Sequence, residues 1–115
     1  MKTTILIALL MLSQAAMAGG NHFHPKKIAS CSGNCTKEQI SAAVPAALDE
    51  LINWEQLDAK WKTAKSEAII EKKLTKGAKA MQAFIVPIVD SSTSKKKYVF
   101  FTQDGTLFKV SDSMD

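Results

Sequence analysis

The chain contains no arginine; all fifteen of its basic residues are lysines. Bidentate guanidinium capture of a phosphate or carboxylate is therefore excluded, because a lysine offers only a point charge. Histidine and cysteine number two each, and tyrosine one. No Gly-rich phosphate loop, no Gly-x-Ser-x-Gly and no His-Glu-x-x-His is present. A nucleophile, a base and an orienting group do not occur together in any of these patterns, which argues against an enzyme. The lysines are scattered among eleven acids. That distribution describes a solvated surface rather than a nucleic-acid groove. With 115 residues, 46% of them hydrophobic, the chain has room for one folded domain.

The first eighteen residues have the order of a secretory signal peptide. Lys2 gives a positive start, Ile5 to Leu12 an apolar run, and Ala16-Met17-Ala18 a small-residue cleavage site. The apolar run is too short to span a bilayer, which takes about 20 residues. The sequence thus predicts a signal peptide at residues 1–18 and a periplasmic or secreted protein with no membrane span after cleavage. Cleavage after Ala18 leaves 97 residues.

Residues 19–35 are rich in Gly, Asn, Ser and Lys, with a proline and no period, and read as a flexible arm. This stretch holds both histidines and both cysteines, His22, His24, Cys31 and Cys35. Two readings of the cysteines stand open. Export to an oxidising compartment, an even count and a Ser32-Gly33-Asn34 spacer suit a disulfide, which compartment chemistry favours. Alternatively, Cys31 and Cys35 join His22 and His24 as ligands, since thiolate and imidazole suit zinc or copper. The Cys-x3-Cys spacing is not the common zinc spacing. Separately, His22 and His24 alone are able to converge on one copper, zinc or nickel ion; after cleavage His22 is the fourth residue, so a square-planar chelate built on the terminal amine misses by one position.

Thr36 to Gln39 fits a capping box. Ile40, Ala43, Val44, Ala47, Leu48, Leu51 and Ile52 then repeat with helical period. Pro45 inside this helix deletes one backbone hydrogen bond and is expected to kink the helix near Ser41. Trp54 and Trp61 lie in the connection that follows and are expected to plug the end of the core. Beyond residue 65 the period changes to two. Strands are expected over 66–75, 80–89, 98–102 and 106–110. Pro87 demands a bulge or an unpaired stretch, and Asp104-Gly105 marks a hairpin. The expectation is an α+β domain over residues 36–112, one amphipathic helix on an antiparallel meander of three to four strands.

The helix, the strands and the closing Tyr98-to-Gly105 hairpin resemble a PepSY-like domain. That resemblance implies a small exported module with a binding or inhibitory role toward an envelope protein or peptide. The chain also resembles an uncharacterised family of small exported proteobacterial proteins with a His-rich mature N-terminus. The positions that carry the likeness are His22 and His24, Leu57-Asp58-Ala59-Lys60-Trp61, Phe84 to Val86, and Tyr98 to Gly105. Two function classes follow: a non-enzymatic carrier of copper or zinc using the N-terminal arm, or a metal-free interaction module of the cell envelope.

Overall fold

The computed structural model describes residues 23–114, with the side chain of Lys76 left aside. The proposed signal peptide and His22 lie outside the described residues. In chain order the elements are β1 (Lys26–Lys27), α1 (Lys37–Asn53), a 3-10 turn (Ala59–Thr63), β2 (Lys65–Ser66), β3 (Ile70–Lys76), β4 (Lys79–Val89), β5 (Lys96–Thr102) and β6 (Thr106–Ser111). All strand pairings are antiparallel, in the order β1-β6-β5-β4-β2, and β3 also pairs with β4.

Helix α1 begins where the sequence predicts. The Gln39 amide donates to Thr36 Oγ1 at 3.1 Å, and the Thr36 amide donates to Gln39 Oε1 at 2.9 Å. Two otherwise orphaned donors are satisfied, a cap of about 1 kcal/mol. The apolar stripe from Ile40 to Leu51 is buried, and it packs on Phe84, Val86, Ile88, Val99, Phe101 and Leu107 of the sheet. Pro45 sits on the exposed side with the helix continuous through it. The Ser41 carbonyl that loses its partner therefore faces water. Trp61 closes the core at 2% exposure, as expected, whereas Trp54 stays half-buried.

The sheet has six strands, not three to four. Two of the six, β1 and β2, contain two residues each. So short a run carries no period, and sequence pattern alone passes over it. The expected strand over 66–75 is split by its neighbour's proline. Ser66 faces Ile88 and Ile70 faces Ile85, so three residues, 67 to 69, oppose Val86 and Pro87. The Glu67 amide donates to the Pro87 carbonyl at 2.8 Å. Within a strand, the N–H and C=O of one residue point to the same side. The missing proline donor therefore points at the bulge, where no acceptor waits for it.

The segment up to Cys35, expected to be a flexible arm, is folded from Phe23 onward. Strand β1 pairs Lys26 with Leu107 and Lys27 with Thr106. The Ile28 and Ala29 amides both donate to the Gly105 carbonyl, at 2.9 and 3.2 Å, and the Cys35 amide donates to Gln103 at 2.7 Å. Ala29 and Cys35 are buried, and Phe23 and Ile28 pack against the core. The physical reason lies in the β5–β6 hairpin. Its turn presents carbonyls outward, and Gly105, at φ +89°, leaves space for Ala29 and Cys35 to approach.

Candidate functional site

The N-terminal segment holds every candidate ligand named from the sequence. Cys31 and Cys35 form a disulfide, with S–S 1.99 Å and Cα–Cα 5.3 Å. A bridged pair has no thiolate to give a metal. His24 is exposed, with its ring edge-on to Trp54 at 5.6 Å between centroids. Trp54 is held in turn by Glu50, whose Oε2 accepts from the indole N–H at 3.0 Å, while Oε1 pairs with Lys26 at 3.2 Å. Among the described residues, no three His, Cys, Asp or Glu side chains converge to hold a metal ion. The structure therefore joins Cys31 to Cys35 and places His24 on a tryptophan instead.

The bridge closes a loop of five residues. The chain-entropy relation gives such a loop about 2 kcal/mol. We expect no free thiol in the denatured, unreduced protein and two after reduction. Urea unfolding of the reduced protein should show a loss near that ~2 kcal/mol. Stability unchanged by reduction would mean that the bridge does not hold the segment in place.

A second site was not singled out from the sequence. The face of β4 toward the helix carries Phe84, Val86 and Ile88. By alternation the opposite face carries Met81, Ala83, Ile85 and Pro87. Register extends that face to Ile70 and Leu74 of β3 and to Phe100 of β5. Ile85 and Phe100 are fully buried, although neither belongs to the helix-side cluster. Phe108 packs on Phe100 with centroids 5.9 Å apart, and the Lys109 ammonium lies 4.6 Å from the Phe100 ring centre. The sheet thus has two apolar faces and one covering helix.

The burial of the second face gives out at the β3–β4 hairpin. Strand β5 pairs with β4 from Ala83 onward, so Lys79 to Gln82 extend past it. Beside this overhang lies an open groove of about 770 Å3. Leu74, Met81 and Phe108 supply its apolar lining, and Lys72, Lys73, Lys79 and Lys109 its charge; among the described residues no carboxylate lines it. Met81 is 40% exposed and Ile70, on the same face, 36%. The sequence signal for this site is that apolar residues occupy both parities of β4 in a chain with a single helix pattern. An antiparallel sheet with one free face usually alternates apolar with polar.

Several carboxylates elsewhere are engaged in the framework. Asp90, buried after β4, accepts from Thr93 Oγ1 at 2.7 Å and from Ser92, and it pairs with Lys60 at 3.7 Å. The Thr93 hydroxyl, above all, holds its carboxyl below the usual range. Asp104 is lowered by the Thr102 and Thr106 hydroxyls, and Asp112 by Lys97. A carboxyl lowered by folding stabilises fully above its unfolded value of 3.8, and that contribution is lost as pH falls through the folded value. Stability should therefore be level through neutral pH and fall in acid below about pH 4. Thr93→Val should raise the Asp90 pKa in a carboxyl NMR titration. An unmoved Asp90 would contradict the assigned cause.

Comparison with known proteins adds a family. Residues 1–115 match the model of a family of unknown function (DUF6488), and the chain belongs to that family. No curated protein and no solved structure gives a match.

Proposed function

We propose that this family member is a small exported, non-enzymatic binding module of the cell envelope, and that it works through the sheet face turned away from the helix. One observation carries the reading: the second face is apolar, mostly buried, and open at the lysine-lined groove beside the β3–β4 hairpin. An apolar recess with a few charged groups is the usual form of a ligand site. Export rests on the leader-like residues 1–18, and the disulfide suits an oxidising compartment. A PepSY-like body, with its binding or inhibitory role, agrees with this use of the sheet.

The alternative is copper or zinc held by His22 and His24, with Cys31 and Cys35 joining only when reduced, and the bridge removes both thiolates from that set. The oxidised protein offers imidazoles alone from that set, so the groove is the better supported surface.

The test uses a neutral apolar dye, N-phenyl-1-naphthylamine, with the oxidised protein. Saturable fluorescence enhancement is expected. It should be abolished in Met81→Glu and kept in Ala42→Glu, which changes an exposed position of α1. Circular dichroism checks that both variants fold. No enhancement, or equal enhancement in the folded Met81→Glu protein, overturns the reading.

A further inference from the structure

We propose that the groove takes a monomeric single-chain anionic amphiphile: a carboxylate carrying a linear alkyl chain. This rests on the second sheet face being the working surface, and it names the chemistry of the ligand.

The lining separates into two parts. Leu74, Met81 and Phe108 give an apolar surface contributed by three different strands. Around it, among the described residues, stand four lysines and no acid. The chain as a whole carries fifteen lysines to eleven acids, so the local balance departs strongly from the average. Lys73 and Lys79 have no acidic partner among the described residues. Lys72 donates to the Met114 carbonyl at 3.2 Å, and Lys109 caps the Phe100 ring. Both hold their stems over the apolar face with a charged end at its border, as long basic side chains do. The site is thus complementary to a molecule with an apolar body and a negative end.

Size and charge type narrow the class. About 770 Å3 falls within the range of small-ligand sites, roughly 300–1,000 Å3. Ammonium groups are point charges that attract an anionic head without demanding a planar fork, and a single carboxylate is the simplest such head on an alkyl chain. A bilayer is a poor occupant. Among large apolar side chains, Ile70 and Met81 are the exposed ones in the described residues, too few to insert into a membrane.

Lysines on an unpaired hairpin also discourage edge-to-edge strand pairing. That role accepts charge of either sign, whereas ligand capture needs cations, and the difference can be measured. Calorimetry of the full oxidised protein compares dodecanoate, dodecyl maltoside and dodecyltrimethylammonium, each below its micelle threshold.

Dodecanoate is expected to bind one site, at least tenfold tighter than the neutral or cationic chain. In Lys73→Gln/Lys79→Gln its affinity should fall about tenfold while dodecyl maltoside is unaffected. Equal affinity for all three chains overturns the inference and leaves the sheet-face reading standing. Absence of dodecanoate binding overturns the inference, and the neutral-dye experiment then decides the reading separately. Sedimentation with phosphatidylglycerol vesicles, without binding of monomeric dodecanoate, also overturns it in favour of a lipid surface.

Discussion

Gly105→Ala is expected to cost about 3 kcal/mol of stability, the sum of a left-handed backbone penalty of roughly 1–2 kcal/mol and an overpacking term of similar size. The position has φ +89°, and a Cβ there would lie 2.7 Å from Ala29 Cβ, 2.9 Å from the Ala29 carbonyl oxygen and 3.0 Å from Cys35 Sγ. None of these is the free end of a flexible side chain. Relief requires the segment carrying Ala29 and Cys35 to move off the hairpin, which breaks the bonds from Ile28 and Ala29 to the Gly105 carbonyl. Gly77 separates the two costs. It has φ +64° and nothing within 4 Å of the added carbon. Gly77→Ala should therefore lose only the backbone penalty, about 1–2 kcal/mol. Urea unfolding of both variants decides the matter. Equal losses would show that the close approach at Gly105 contributes nothing.

Phe100→Ala should destabilise by about 3–5 kcal/mol, as truncation of a fully buried phenylalanine does. Phe100 is 0% exposed, yet it lies outside the cluster under the helix. It stands between Ile85 and Lys109 in the register of β4, β5 and β6, with Phe108 against it. The lost area and the cavity left behind both count, because Ile85 is held by its strand and cannot collapse into the space. Phe101→Ala, one residue on and facing the helix, is the reference. Similar losses for the two would establish two cores in one sheet. A loss below about 1 kcal/mol for Phe100→Ala would mean that the second face is only a wetted surface.

Much of the framework is legible in the amino-acid order. Thr36 and Gln39 specify where the helix begins, and the spacing from Ile40 to Leu51 specifies the side it buries. Asp104-Gly105 marks a hairpin, which closes as a three-residue loop, 103–105, and Pro87 announces a break that falls in the neighbouring strand. Cys31 and Cys35 are a disulfide pair in the structure, one of the two readings left open by their spacing. Strand β1 was not legible. Lys26-Lys27 has neither β-propensity nor alternation, and it becomes a strand because β6 offers it a free edge. The groove was not legible either. It depends on β4 being longer than its pairing with β5, and on Phe108 entering a bulge in β6. These are properties of register rather than of composition.

The pairing of β1 with β6 also determines the order in which the sheet closes. β3–β4, β4–β5 and β5–β6 join elements adjacent in the chain and can zip together from local loops. β1 must instead cross about eighty residues to reach Thr106 and Leu107, and it gains only two pairs on arrival. Such an element docks late and detaches first, while the rest stays intact. Amide hydrogens of Ile28 and Ala29 will therefore exchange with solvent through partial openings, and those of Val99 and Phe101 only through the complete loss of structure.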